Sequence, residues 1–148
     1  MPTGQHIGRP IYEQAIMLDS GPLITLYDPD DDRAKSVKTI LRKAQADKYP
    51  AFITPLTIAE THGRILYDHG YARALKFLHK VTDGSIHVVD LQGQDFMKAI
   101  EIIARFPDQE ISFCDSVTMA VMGRVGIRKV LTYDRHFGIL NYTCISGL

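Results

Sequence analysis

Ala15-Ile16-Met17-Leu18-Asp19-Ser20-Gly21-Pro22, AIMLDSGP, is an unbroken apolar run that ends on an acid and is stopped by Ser-Gly-Pro. Consecutive apolar residues without alternation mark a strand covered on both faces, and Gly-Pro marks the turn that closes it. The same grammar recurs along the chain. Ala51-Phe52-Ile53 runs into Thr54-Pro55, Ile86-His87-Val88-Val89 into Asp90, and Lys129-Val130-Leu131 into Thr132-Tyr133-Asp134. Tyr142-Thr143-Cys144-Ile145 reads as a fifth strand.

Helical patterns fill the gaps. A brief helix follows Pro22, and Asp30-Asp31-Asp32 is placed to cap a second one through about Ala46. That helix has Ala34, Val37, Ile40, Leu41 and Ala44 on one face and Lys35, Lys38, Arg42 and Lys43 on the other. Thr54 and Pro55 read as an N-cap and first helical residue of a helix to about Tyr67. Further helices are predicted over Tyr71–Val81, with Ala74, Leu75, Phe77 and Leu78 turned inward, over Phe96–Phe106, and from Ser112 to about Val125. Strands alternating with helices predict an α/β fold: three α/β/α layers around a central parallel sheet of four to five strands.

The 148 residues suit one domain, spanning 15–148, after an irregular Gly/Pro-punctuated extension at 1–14. Seventeen basic residues balance seventeen acidic ones, so bulk charge does not favour coating a nucleic acid. A polyanion has to be held by a local patch or by bound cations. Cys114 and Cys144 lie in apolar surroundings and read as reduced, buried thiols. The N-terminus lacks the basic start and apolar core of a signal peptide, and no apolar run approaches the ~20 residues of a membrane span. A cytoplasmic location, with no membrane partner, follows by elimination.

Ligands of open parallel sheets bind beyond the carboxyl ends of the strands. Four acids fall there: Asp19 after the first strand, Glu60 early in the helix after the second, Asp115 in the first turn of a late helix, and Asp134 after the fourth strand. Each has a plainer reading. Asp19 suits a turn and Asp134 a cap; Glu60 suits a plain, partly exposed helical position, although it shares a face with Leu56, Ala59 and Gly63, and a carboxylate on a packing face is costly unless paired or bound to metal. Asp115 completes a capping-box spacing with Ser112. Together the four form a carboxylate cluster whose repulsion demands a cation. An all-oxygen set suits Mg²⁺ or Mn²⁺, and cations held in this way serve in-line hydrolysis of phosphodiesters.

Met17-Leu18-Asp19-Ser20, Thr54-Pro55-Leu56-Thr57-Ile58-Ala59-Glu60, Phe113-Cys114-Asp115-Ser116 and Leu131-Thr132-Tyr133-Asp134-Arg135-His136-Phe137, in this order and spacing, resemble a PIN domain, and most the VapC toxins of toxin–antitoxin pairs. The T-x-D-x-x-F run after an apolar strand is the most specific of these motifs. The resemblance implies a Mg²⁺- or Mn²⁺-dependent endoribonuclease acting on RNA, with Asp19, Glu60, Asp115 and Asp134 catalytic. Asp19, Asp115 and Asp134 are the expected direct metal ligands, and Glu60 a ligand or water-orienting base. It also implies a homodimer and a small antitoxin whose C-terminal segment wraps the toxin. Ser20 and Thr132 match hydroxyl positions beside the site and can orient carboxylates, or simply bond the local backbone. Arg64, Arg124 and Arg135, with Arg73 and Lys76, are candidate RNA contacts, though a solvated helix face explains such residues equally. His136 is the one histidine near the acids, and packing or surface placement suits it better than catalysis.

Two other readings keep the fold. One is a non-catalytic metal-binding interaction module; the other is a solitary RNA-processing nuclease without an antitoxin. A phosphotransfer domain fits less well, because Asp19-Ser20-Gly21 lacks the Asp-x-Asp of dehalogenase-type enzymes, and the acidic pair and late Lys of a receiver are missing.

Overall fold

Met17 and its neighbours form β1 (Ile16–Leu18), the central strand of the sheet. The computed structural model describes residues 14–146, so all but Gln14 of the predicted extension lies outside the described residues. The other strands are β2 (Ala51–Ile53), β3 (His87–Val88), β4 (Lys129–Leu131) and β5 (Thr143–Ile145), ordered β3-β2-β1-β4-β5 with every pairing parallel. Met17 aligns with Phe52 on one side and with Val130 on the other. Between the strands run α1 (Ser20–Leu26), α2 (Ala34–Ala46), α3 (Pro55–His69), α4 (Tyr71–Val81), α5 (Gly93–Arg105) and α6 (Phe113–Val125), with a 3₁₀ helix at Arg135–Leu140.

Side chains of successive strand residues point to opposite faces, so the sheet feeds two cores. Ile16, Leu18, Ile53 and Leu131 join Leu23, Val37, Ile40, Phe77 and Val81 from α1, α2 and α4. Met17 and Val130 join Ile102, Met119, Met122 and Phe137 on the other face, under α5, α6 and the 3₁₀ helix. Three layers result, as the alternation of elements predicts. Helix α6 is buried from Ser116 to Met122 without a break, because it lies between the sheet and α5. It stops at Gly126, whose φ of +82° is a left-handed cap that a side chain disfavours.

Several local expectations change. The third strand shrinks to two exposed residues because it is an edge strand, paired only with β2. On α3 the buried stripe is Thr57, Thr61 and Ile65, at i, i+4 and i+8, so Ala59, Glu60 and Gly63 face outward. Glu60 is therefore on an exposed face, not a packing one. Leu75 is exposed, while Ala74 and Phe77 are buried as expected. The three aspartates do not cap α2 by side chain: Arg33 occupies the N-cap, and Asp31 accepts from its backbone N–H instead (2.9 Å). Cys144 is exposed and Cys114 half-buried, so the expectation of two buried thiols fails; β5 is the other edge. No helix among the described residues is long and apolar enough to cross a membrane.

Candidate active site

Parallel pairing places the carboxyl ends of β1 and β4 side by side, and Asp19 and Asp134 follow those ends. Asp19 occupies the N-cap position of α1, yet its side chain caps nothing. Its Oδ2 accepts a 2.6 Å hydrogen bond from Thr132 Oγ1, and Thr132 Oγ1 in turn accepts from the Asp134 N–H (2.9 Å). One buried hydroxyl thus ties the two acids together. Asp19 is 4% exposed, and its second oxygen, Oδ1, is buried with no hydrogen-bond partner. Such an orphan costs about 1–3 kcal/mol, more when charged.

Asp115 arrives from α6. Ser112 Oγ accepts from the Asp115 N–H (3.1 Å), which caps the helix and leaves the Asp115 carboxyl free of that duty. The Asp115 and Asp134 carboxyls approach within 4.8 Å of each other. Asp134 also accepts from the His136 N–H (2.9 Å) and lies 2.8 Å from His136 Nδ1. The capping reading of Asp134 is thus true of one oxygen, and His136, read as a packing or surface residue, holds that same carboxylate. Glu60 is fixed by Ser20, whose Oγ donates to Oε1 at 2.5 Å.

The electrostatics follow from crowding. Burial raises the pKa of Asp115, and the bond to Asp134 with the charges of Asp19, Asp134 and Glu60 carries it to about 8. Asp19 is raised first by burial, and by Glu60 and Asp134 against the opposing Thr132 bond. For Asp134 burial also acts upward, but the bonds from Asp115 and His136 outweigh it and leave the pKa below the ordinary value. Crowding thus favours the protonated form of Asp115 and the ionised form of Asp134. Beside them, burial and the adjacent Glu60 push the Cys114 thiol up to about 12, so it is no nucleophile.

Ligand atoms of Asp115, Asp134 and His136 lie within 4.8 Å of one another. Asp19 and Glu60 stand outside that group but close enough to raise the pKa of Asp115. The orphaned Asp19 oxygen, the mutual repulsion and the hard oxygen donors together fit a divalent cation.

The candidate cationic residues are dispersed. Arg64 is exposed one turn beyond Glu60 and pairs with Asp68 (3.5 Å), and Arg135 is exposed beside Asp134. Arg124 is turned to a structural task. Its Nε and Nη2 donate to the two oxygens of buried Asp95 (2.8 and 3.0 Å), and Nη2 also to the Asp90 carbonyl (2.9 Å). Arg73 and Lys76 line a cavity of about 1020 Å³ beside Ile16 and Ala51, at the amino ends of the strands and away from the acids. The reading of the sequence missed Arg124's partner because Asp95 lies 29 residues away, and only the α5–α6 contact joins them.

A family model described as the PIN domain matches residues 16–140. This chain belongs to the PIN domain family. A curated relative, ribonuclease VapC26 of Mycobacterium tuberculosis (strain ATCC 25618 / H37Rv), is 24% identical to this PIN domain over 127 residues, covering 84% of this chain and 91% of the relative. The crystal structure of M. tuberculosis VapC20, described as a sarcin-ricin loop cleaving toxin, superposes with a TM-score of 0.77 at 22% identity, over 87% of this chain and 97% of that one. VapBC2 from Rickettsia felis, bound to a DNA fragment from the promoter of the pair, gives a TM-score of 0.65 at 13% identity, over 89% and 97%. Each of these likenesses covers at least 84% of this chain.

Proposed function

We propose that this PIN domain is a Mg²⁺- or Mn²⁺-dependent endoribonuclease and the toxin of a toxin–antitoxin pair. The observation that carries the reading is a buried, unpartnered oxygen of Asp19 within electrostatic reach of the clustered Asp115 and Asp134 carboxyls. Asp19, Asp115 and Asp134 hold the cation, and Glu60 either joins them or orients water. When bound, the cation supplies Lewis-acid activation of water and charge neutralisation at an in-line phosphoryl group. The chain's own residues set the stage. Thr132 fixes Asp19, Ser20 fixes Glu60, and His136 fixes Asp134, so each carboxylate is oriented before substrate arrives. With its protonated form favoured, Asp115 would have to lose a proton for the cation to bind, so affinity is expected to rise with pH. RNA is the substrate class supported by the family and by the ribonuclease name of the curated relative. Incubation of the purified chain with Mn²⁺ and a panel of single-stranded and structured RNAs tests the reading; a panel left intact sinks it.

The antitoxin partner belongs to the same proposal, supported by structural neighbours that are toxin–antitoxin complexes. The 1020 Å³ cavity between α2 and α4 has an apolar floor that includes Leu26, Leu41 and Ile86, rimmed by Lys38, Arg42, Lys48, Arg73, Lys76 and Lys80. Its one lining acid, Asp83, pairs with Lys80 (3.5 Å). An acidic segment with apolar side chains complements that lining. Arg73→Glu with Lys76→Glu is expected to weaken capture of the co-expressed antitoxin at least about tenfold and to leave RNA cleavage unchanged. Equal capture by the double variant places the antitoxin elsewhere. A homodimer is proposed through Met97, Ile100 and Phe113, which are 69%, 55% and 45% exposed on adjoining helices. Sedimentation as a monomer at micromolar concentration counts against it.

A further inference from the structure

We propose that Arg33 and Tyr133 form a stacking platform for a nucleobase of the RNA, on the flank of the acid site; the inference rests on the nuclease reading. The Arg33 guanidinium lies over the Tyr133 ring, Cζ 4.3 Å from its centroid. Asp31 takes Nε at 3.0 Å and Nη2 at 2.8 Å, which fixes the plane of the guanidinium as well as its place. The Arg33 backbone N–H donates to the same carboxylate (2.9 Å). Below, Tyr133 is closely seated. A Cβ at Gly21 would stand 3.1 Å from Tyr133 Cδ2, so glycine is what lets the ring approach α1. The Tyr133 hydroxyl is buried without a hydrogen-bond partner, and the ring lies beneath the guanidinium.

The Arg33 side chain is nonetheless 59% exposed. With one face on Tyr133 and one edge on Asp31, that exposure is the outer face and the Nη1 edge. Its charge is matched by Asp31, which makes it a weak clamp for phosphate. A flat, immobilised guanidinium is a good surface for a base, because stacking needs the plane and tolerates neutralisation. Its position is adjacent to the chemistry. Tyr133 precedes Asp134, and Gly21 follows Ser20, which holds Glu60.

The test uses the full chain carrying Asp115→Asn, so that RNA is bound and not cut. Binding of a fluorescein-labelled pool of short randomised single-stranded RNAs is compared with an abasic oligomer of the same ribose-phosphate backbone. Arg33→Ala and Arg33→Lys are both expected to weaken binding of the base-bearing pool about tenfold, with the salt slope unchanged, and to leave the abasic oligomer unaffected. In the chain that retains Asp115 the same substitutions raise KM and spare kcat. Rescue by lysine, or an equal loss on the abasic oligomer, shows a phosphate contact and overturns the platform; so does unchanged binding, or a pool the chain does not bind. Cutting is scored separately with Mn²⁺ and the unsubstituted chain. If no RNA is cut while the binding pattern holds, the nuclease reading fails and the platform stands.

Discussion

Asp115→Asn and Asp19→Asn each reduce RNA cleavage by more than about 100-fold, the range in which even partners outside the ligand set act. The substitution keeps shape and one acceptor oxygen and removes the ionisable group. At position 115 the helix start is untouched, since Ser112 bonds the backbone N–H and not the carboxyl. At position 19 the amide oxygen can still accept from Thr132. Folding is therefore retained: Asp19→Asn removes one of the charges that crowd the site, and Asp115→Asn fixes the neutral form that the crowding already favours. Thermal midpoints in chelator at or above that of the unsubstituted chain, alongside lost cleavage, are the expected pair of results. Full turnover in both variants removes the catalytic assignment.

The second large effect is on stability as a function of pH. In chelator, the thermal midpoint is expected to fall as pH rises between about 4 and about 8. Asp115 has its pKa raised in the folded chain from 3.8 to about 8, and Asp19 is raised as well. Across that window the folded chain binds more protons than the unfolded chain, so its stability is complete at the acid end and lost as the proton leaves. Asp134 is shifted the opposite way, and its contribution is lost only as pH falls below the ordinary carboxyl range. Millimolar Mn²⁺ should raise the midpoint, and more so at high pH, where no proton has to be displaced. Asp115→Asn should flatten the chelator profile. A midpoint constant over that range in chelator, or a Mn²⁺ increment that shrinks with pH, contradicts a protonated Asp115 in the folded chain.

Most of the fold was legible because the strands advertise themselves. Two of the five are unbroken apolar runs and two more are mostly apolar, all four followed by turn residues or an acid, and the helices after β2 and before β4 begin at readable caps, Thr54 and Ser112. The edges were harder to read. A strand paired on one side only needs few apolar residues, so β3 is shorter and more exposed than Ile86–Val89 suggested. Helix α3 misled for a different reason: its buried face uses Thr57 and Thr61, so the apolar count pointed to the wrong side. The four acids were legible as positions relative to strand ends, and the structure brings them into mutual electrostatic reach. What joins them was not. The Thr132–Asp19 bond spans 113 residues and the Ser20–Glu60 bond 40, and no local pattern encodes partners so far apart. Arg33 over Tyr133 was invisible for the same reason.

The parallel pairing of β1 with β4 has a temporal consequence. Asp19 leaves the ribosome early, but the strand that aligns beside Ile16–Leu18 is Lys129–Leu131, near the end of the chain. A nascent chain stopped before residue 129 carries Asp19, Glu60 and Asp115 without Thr132 or Asp134, so it has neither the hydroxyl that links the acids nor the carboxyl that lies beside Asp115. Assembly of the centre is deferred until residues 129–134 have been made. If the chain cuts RNA as proposed, a copy stopped there lacks one of the four acids and the hydroxyl that orients another.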